Sequence, residues 1–144
     1  YNCKLVLHKL EQNKKFGDFV ADLVRAYYDV DCSFLNAGSI RIDALVPAGE
    51  LRYSMLSNII NDSMIVMEMF ETLYYLSLDA VDGLPGFPGS FLAISGIRYT
   101  FDINKTPRVQ EVYINNDLLI ENKKYMVALN SYISKGGDGF DMFK

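Results

Sequence analysis

The stretch KYMVALNSYI, residues 124–133, is apolar almost without interruption up to Asn130. A run of this kind predicts a central strand that neighbouring layers cover on both faces. The glycine-rich stretch GGDGF, residues 136–140, follows the predicted strand and is expected to form a loop at its end. The rest of the chain should then supply the strands and helices that surround residues 124–133.

Five other segments have the composition of strands. Residues 97–102, IRYTFD, alternate cleanly and predict a half-buried strand, with Ile97, Tyr99 and Phe101 on its inner side. A hairpin-type turn at residues 115–117 leads into a short apolar run. The other four predicted strands are CKLVLH at 3–8, CSFL at 32–35, SMIVMEMF at 63–70 and RVQEVYIN at 108–115.

Two amphipathic helices are also predicted. In the first, Asn13 is a candidate N-cap and the apolar residues recur at the spacing of one helix face. This predicted buried stripe consists of Phe16, Phe19, Val20, Leu23, Val24 and Tyr27. The second helix is predicted from Glu71 to Asp82, with Gly83 as its C-terminal stop. Its predicted buried face consists of Leu73, Leu76, Ala80 and Val81.

The remaining segments read as connections. Residues 52–60 suit a short helix after a turn at Pro47 and Gly49, and the Gly/Pro-rich residues 83–90 form a loop. Because helices and strands are interspersed, with antiparallel signals in the second half, we predict an α/β or α+β fold with helices on a mixed sheet. No linker or repeat divides residues 1–144, so we expect one domain.

The composition excludes several classes of partner. Half of the residues are hydrophobic and 22% are charged, as in globular proteins. A net charge of −4 gives no sign of the basic face that nucleic-acid binding needs. The longest apolar run contains Glu68 and is far shorter than a membrane span of about 20 residues, so no direct membrane contact is expected. Because the chain starts at Tyr1, we interpret it as a piece of a longer polypeptide.

The usual signs of a catalytic centre are missing from the sequence. His8 is the only histidine, and one strand histidine cannot supply a zinc or two-metal site. The sequence has no G-x-S-x-G nucleophile motif, no P-loop and no G-x-G-x-x-G after a strand. Cys3 and Cys32 lie in predicted strands, and a disulfide and two buried free thiols both remain open. We therefore expect no catalytic residue and no metal ligand in this chain.

The stretch NAGSIR, residues 36–41, lies at the carboxyl end of a predicted strand, where open α/β sheets usually hold ligands. Asn36 offers both a donor and an acceptor, Gly38 allows a close approach of the backbone, and Arg41 can bind a phosphate through its planar fork. The alternative is a structural turn with a surface arginine, and the spacing alone slightly favours that alternative.

The stretch GGDGF offers a second candidate site. Asp138 stands among three glycines and can accept two hydrogen bonds from a vicinal diol such as ribose. Tyr132 lies six residues earlier and can stack on a base. The alternatives are a tight turn at Asp138 and an ordinary core tyrosine at Tyr132.

In this order the motifs resemble the C-terminal domain of the 5'-nucleotidase family. The matching stretches cover most of the chain from about Phe16 to Phe140; they are KKFGDFVADLV, FLNAGSIR, PAGELRYSMLSNI, FLAISGIRYTFD, RVQEVYI and KYMVALNSYISKGGDGF. The resemblance implies a domain that binds the nucleoside part of a nucleotide, joined to an N-terminal metallophosphatase domain. Two divalent metals, of the Zn or Mn type, are expected in that other domain and none in this chain.

The resemblance also implies a role for each candidate residue. Asn36 would bind the base, Arg41 would meet the phosphate or ribose side, Tyr132 would stack on the base, and Asp138 would take the ribose hydroxyls. Gly38 and Ser39 would form the wall of the loop, and Gly136 and Gly137 are further candidate binding residues. The parent enzyme is expected to be extracellular, at the cell surface or periplasmic.

Two departures from the family concern ligand affinity. The family has Pro-Phe before the strand that here begins near Ser63, and this chain has Asn61-Asp62. Phe87 is the candidate substitute for that second aromatic, and Lys9 or Lys14 for an arginine ahead of the first helix. We therefore expect weaker binding of the base. A cyclic-nucleotide phosphodiesterase, a nucleotide-sugar hydrolase, an apyrase-like enzyme and a non-catalytic interaction domain stay open as alternatives.

Overall fold

The computed structural model describes residues 10–40, 60, 62–70, 72–86 and 90–143, with side chains from Phe16 onward. Within these ranges lie three helices and seven strands. The helices are α1 (Leu10–Tyr28), α2 (Thr72–Asp82) and the short α3 (Ser131–Ser134). The strands are β1 (Cys32–Asn36), β2 (Met64–Met69), β3 (Leu92–Ser95), β4 (Ile97–Phe101), β5 (Val109–Ile114), β6 (Asp117–Leu118) and β7 (Tyr125–Asn130).

Two sheets organise the described part of the chain. The larger has the order β2-β7-β1-β3, in which β1 and β7 are parallel and the two outer pairs are antiparallel. The smaller is the antiparallel β4-β5-β6. The predicted mixed-sheet α/β fold is therefore confirmed, as is the central position of β7. The predicted strand ends early, however, because residues 131–134 turn into α3 after Asn130.

Strand β1 shows how the larger sheet is covered on both faces. All five of its residues are buried. Leu35 packs with α1 in one apolar cluster, whereas Cys32 and Phe34 belong to the main core, which also contains residues of α2, β5 and β7. Because successive side chains of a strand point to opposite faces, β1 joins the two cores. On the α1 side, the hydroxyl of Ser33 donates to the carbonyl oxygen of Ala21 at 2.6 Å.

Helix α1 packs on the sheet through small residues, and this corrects the predicted stripe. A side chain at Gly17 would put its Cβ 2.7 Å from the Cβ of Ala93, and Ala21 is fully buried. The contact face therefore centres on Gly17 and Ala21. Phe16 and Val20 are buried beside them, as predicted. The prediction is wrong for three residues, which lie on the exposed flank: Phe19, Leu23 and Tyr27. Asn13 lies inside the helix and does not cap it.

Helix α2 confirms the second predicted helix to within one residue. Its predicted buried face is confirmed in full: Leu73, Leu76, Ala80 and Val81. The Arg108 guanidinium donates to the carbonyl oxygens of Val81 at 3.0 Å and Leu84 at 2.9 Å. These bonds satisfy carbonyl groups at the C-terminus of α2 and attach it to the start of β5.

The smaller sheet confirms the hairpin prediction and corrects one strand residue. Asn115 and Asn116 both have positive φ, 50° and 74°, as a two-residue type I′ turn requires. The pairing of β4 with β5 shifts between Thr100 and Phe101. Phe101, the last residue of β4, lies beside the ring of Tyr99 but is exposed, so it is not buried with Ile97 as predicted.

Several predictions concern other residues. The strand at 3–8, the turn at Pro47 and Gly49, and residues 52–59 lie outside the described residues, as does Cys3.

Cys32 is a buried free thiol, and burial raises its pKa to about 12, with Asp31 contributing in the same direction. No helix in the described part of the chain is long and apolar enough to cross a membrane.

Candidate functional site

The candidate site lies where β1 and β7 end. These strands are parallel neighbours, so their last residues, Asn36 and Asn130, meet at the same edge of the sheet. Asn36 is 3% exposed and Asn130 is completely buried. Buried asparagines need hydrogen-bond partners, and here they are partners of each other: Nδ2 of Asn130 donates to Oδ1 of Asn36 at 2.8 Å.

Two carboxylates extend this pair on either side. Nδ2 of Asn36 donates to Oδ2 of Asp138 at 2.8 Å, and Nδ2 of Asn130 donates to Oδ2 of Asp62 at 3.0 Å. An ionised carboxylate can only accept, so it must face the nitrogen of an amide. The two carboxylates therefore determine the orientation of both amides. The result is one connected network from Asp138 through Asn36 and Asn130 to Asp62.

Asp62 also attaches the start of β2 to the end of β7. Its Oδ2 accepts a hydrogen bond from the backbone N–H of Tyr132 at 2.9 Å, and its Oδ1 accepts one from Ser63 N–H at 2.9 Å. The backbone N–H of Ser131 donates to the carbonyl oxygen of Ser63 at 2.7 Å. These bonds hold the first turn of α3, and with it Tyr132, against the residues that precede β2.

The GGDGF loop presents Asp138 to this edge. Gly136 has a φ of 80° and ends α3, and Asp138 itself has a φ of 52°, a conformation that aspartate tolerates better than most residues. The Asp138 side chain is held at both oxygens, since Tyr132 Oη donates to its Oδ1 at 3.0 Å and Asn36 to its Oδ2. Asp138 is nevertheless exposed, so its remaining lone pairs face solvent.

Tyr132 projects from the edge and is 48% exposed. A Cβ on Gly137 would lie 2.5 Å from Cε1 of the Tyr132 ring, so the loop backbone packs directly against the ring. A side chain at position 137 would therefore collide with the Tyr132 ring in this conformation. The alternative that Tyr132 is an ordinary core residue is wrong, because Tyr132 lies in α3, beyond the end of β7, and much of its surface is exposed.

The structure brings together some predicted site residues and leaves others undescribed. Asn36, Tyr132 and Asp138 form one hydrogen-bonded group. Gly38 and Ser39 lie in the 3₁₀ turn that follows β1, where Ser39 Oγ donates to the carbonyl oxygen of Asn36 at 2.7 Å. Three further candidates, Arg41, Phe87 and Lys9, lie outside the described residues, as does the side chain of Lys14.

Asn130 and Asp62 are site residues that the sequence reasoning missed. The signal for Asn130 was present, because both CSFLN and YMVALN are apolar runs that end in Leu-Asn. The two runs become related only when β1 and β7 are known to be parallel neighbours. From the sequence, Asp62 is only a residue in place of an aromatic, yet in the structure it accepts hydrogen bonds from Asn130, Tyr132 and Ser63.

This arrangement has the kinds of group that bind a ligand. It combines an exposed aromatic ring, a carboxylate with free lone pairs and a buried amide pair at one sheet edge. Among the described residues, no group of three or more His, Cys, Asp or Glu side chains could hold a metal ion. The exposed ring, the carboxylate and the amide groups are suited to recognition of a polar, flat ligand.

Comparison with known proteins gives a consistent result. Residues 6–144 match the family described as the 5'-nucleotidase C-terminal domain. The trifunctional nucleotide phosphoesterase protein YfkN of Bacillus subtilis is 30% identical over 94% of this chain and 10% of its own length. The 5'-nucleotidase precursor of Thermus thermophilus has a similar structure, with a TM-score of 0.74 and 25% identity over 89% of this chain and 27% of that one.

A further similar structure is the NAD nucleotidase NadN of Haemophilus influenzae, with a TM-score of 0.62 and 28% identity. The match covers 88% of this chain and 23% of NadN. The chain thus spans about a tenth of YfkN and about a quarter of these two solved structures. The similarity concerns one domain of proteins that are several times longer.

Proposed function

Because this chain belongs to the 5'-nucleotidase C-terminal domain family, we propose that it is the nucleoside-recognition domain of a 5'-nucleotidase-like hydrolase. In this proposal the whole enzyme removes phosphate from nucleoside 5'-monophosphates at the interface with an N-terminal metallophosphatase domain. The observation that carries the proposal is the grouping of Asn36, Tyr132 and Asp138 at one edge of the sheet.

Asp138 is the proposed ligand of the ribose. Each of its oxygens accepts one hydrogen bond within the protein, and a carboxylate offers about four lone-pair directions. Both oxygens therefore keep the capacity to accept a bond from a hydroxyl group. Two adjacent hydroxyls, as on ribose, match two oxygens of one carboxylate.

The other candidate residues complete the proposed pocket. The exposed ring of Tyr132 stacks on the base, and the amide of Asn36 binds at its edge. Gly38 and Ser39 form the neighbouring wall, with Gly136 and Gly137 on the Asp138 side, and Arg41 meets the phosphate or ribose. Stacking of a base on an aromatic side chain contributes about 1–3 kcal/mol, so this chain alone should bind nucleosides weakly.

The phosphoryl chemistry is assigned to a domain outside this chain. We propose that the two divalent metals, of Zn or Mn type, are held by the metallophosphatase domain, since the described residues offer no group of metal ligands. Two metals of that kind would activate water and stabilise the transferred phosphoryl group. This chain alone is then inactive. By the same family expectation, the whole enzyme acts outside the cell, at its surface or in the periplasm, in keeping with the precursor among its relatives.

A second candidate function within the same family concerns the substrate. YfkN is a trifunctional nucleotide phosphoesterase and NadN is an NAD nucleotidase, so related domains occur in enzymes with different nucleotide substrates. A cyclic-nucleotide phosphodiesterase, a nucleotide-sugar hydrolase or an apyrase-like activity would use the same recognition site. Assays of the longer enzyme with a panel of nucleotide substrates distinguish these activities. If none of the substrates is turned over, a non-catalytic interaction domain is favoured.

Binding of nucleosides to this chain tests the proposal directly. Titration of the isotopically labelled chain with adenosine should shift the amide resonances of Asn36, Tyr132 and Asp138 at millimolar ligand. Ribose alone, without a base to stack on Tyr132, should bind more weakly. The absence of any shift at these three residues would contradict the proposal. Release of phosphate from AMP by this chain alone would contradict the assignment of the chemistry to another domain.

A further inference from the structure

The carbonyl oxygen of the Asn130 side chain is the least satisfied polar atom of the candidate site. Oδ1 of Asn130 is buried and accepts no hydrogen bond from the part of the chain that the structure describes. The residue as a whole is 0% exposed. A buried acceptor without a donor is unfavourable, and native proteins rarely keep one without a reason.

The orientation of this amide follows from its neighbours. Nδ2 of Asn130 donates to Oδ1 of Asn36 at 2.8 Å and to Oδ2 of Asp62 at 3.0 Å. Both neighbours present acceptors, so rotating the amide by 180° would place Oδ1 against two oxygens. The two hydrogens of Nδ2 are thus used, and Oδ1 is held as an acceptor beside the pair of Asn36 and Asp62.

The hydrogen-bonding capacity left in the network is mostly that of acceptors. The hydroxyl of Tyr132 and the amide nitrogens of Asn36 and Asn130 already donate to acceptors within the network. The groups that can still accept include the carboxylate of Asp138 and Oδ1 of Asn130, and of these two only Oδ1 of Asn130 has no donor at all among the described residues. An acceptor-rich site is complementary to a ligand that brings donors, such as the hydroxyls of a sugar and an amino group of a base.

We propose that Oδ1 of Asn130 accepts a hydrogen bond from an exocyclic amino group of the bound base, so that Asn130 determines base specificity. This inference rests on the proposed function as a nucleoside-binding domain. Asn36 lies between Asn130 and Asp138 and is held by its bond to Asp138. In this proposal the Asn36 side chain moves when the ligand binds, so that the edge of the base reaches the buried Oδ1 of Asn130, while the free lone pairs of Asp138 accept from the sugar hydroxyls.

The inference predicts a preference between two nucleosides that differ in one group. Adenosine carries the amino group, whereas purine riboside carries hydrogen at the same position and keeps the ring and the ribose. Binding of purine riboside leaves Oδ1 of Asn130 without a donor. We therefore expect its dissociation constant to be about tenfold higher than that of adenosine, the usual effect of leaving one buried polar group unpaired.

Titration of the unaltered, isotopically labelled chain with each nucleoside gives this ratio without any substitution. A ratio of about ten supports the inference. Equal dissociation constants overturn it and leave the proposed function intact. If neither nucleoside shifts the resonances of Tyr132 and Asp138, the proposed function itself fails, and the inference fails with it.

The variant Asn130→Ala assigns the preference to this residue. In the folded variant the preference for adenosine should disappear, because its amino group no longer gains a hydrogen bond to Oδ1 at position 130. If the role of Asn130 is purely structural, the variant should weaken the binding of both nucleosides by the same factor. The ratio of the two dissociation constants would then stay at about ten, which would overturn the assignment. Asn104→Ala, in the exposed turn after β4, is the matched control and should keep the tenfold ratio.

Discussion

Asn36 donates a hydrogen bond of 2.8 Å from Nδ2 to Oδ2 of Asp138, a residue 102 positions away in the chain. This bond joins the end of β1 to the GGDGF loop. It fixes the position of the proposed ribose-binding carboxylate relative to the proposed base-binding amide. A ligand that binds Asp138 is therefore expected to affect Asn36 as well.

Asp138→Asn should weaken nucleoside binding at least about tenfold, since hydrogen bonds to charged groups contribute about 1.5–3 kcal/mol. Asparagine also tolerates the positive φ of this position, so the loop should keep its shape. The measurement is a titration with adenosine and 2'-deoxyadenosine. The loss should be smaller for the deoxynucleoside, which brings one hydroxyl fewer. Asp117→Asn, in the exposed hairpin, is the control, and an equal loss there would contradict a specific role.

Tyr132 allows stacking to be separated from loop positioning. Tyr132→Phe keeps the ring and loses only the 3.0 Å bond to Asp138, so affinity for adenosine should fall no more than a few-fold. Tyr132→Leu removes the stacking surface, and affinity should fall roughly 5- to 150-fold. The same titration of Tyr75→Leu, on an exposed tyrosine of α2, should show no change. Equal effects of Phe and Leu at position 132 would show that the ring does not stack.

Gly137→Ala should destabilise the fold by about 1–3 kcal/mol, because the new Cβ would lie 2.5 Å from Cε1 of Tyr132. Thermal unfolding of Gly137→Ala alone and in a Tyr132→Ser background measures this effect. Removal of the ring should recover most of the loss. Gly139→Ala is the control: no atom lies within 4 Å of its Cβ, and its cost comes from a φ of +87°. That cost should not depend on Tyr132.

Cys32 should resist alkylation at pH 8 in the folded protein, because burial raises the pKa of its thiol to about 12. Iodoacetamide labelling of a Cys3→Ser variant, with and without urea, tests this. The unfolded thiol ionises near the ordinary value of 9.0, whereas the folded thiol stays neutral until about 12. Its contribution to stability is therefore complete below pH 9 and is lost as the pH rises towards 12. Cys32→Ala should reduce that alkaline loss.

Truncation of a buried leucine of β1 and of an exposed leucine of α1 should have different effects on the free energy of unfolding. Leu35 is fully buried between β1 and α1, so Leu35→Ala should lower the free energy of unfolding by about 2–5 kcal/mol. Leu23 is 41% exposed on the flank of α1, and Leu23→Ala should change it by no more than about 0.5 kcal/mol. Urea denaturation measures both. A large effect at Leu23 would mean that another surface covers this flank.

Local patterns predicted those elements whose burial follows their own periodicity. The apolar face of α2 and the continuous apolar run of β7 were both predicted from sequence, because spacing of 3.6 or an unbroken run needs no knowledge of the neighbours. The stripe of α1 was predicted with the wrong centre. Its orientation depends on how closely Gly17 approaches Ala93, which is a property of the pair and not of the helix.

The site follows the same division. The sequence by itself predicted that Asn36 lies near the carboxyl end of a strand and that Asp138 lies in a glycine-rich loop, and its family resemblance assigned Tyr132 to the same site. In the structure Asn36 is the last residue of β1, and α3 separates the loop of Asp138 from β7. Only the tertiary structure decided that β1 and β7 are parallel neighbours, that Asn130 therefore meets Asn36, and that Asp62 holds both Asn130 and Tyr132. The physical reason is that strand pairing is set by contacts between residues far apart in the chain, and a hydrogen-bond network across four segments exists only once those segments are assembled.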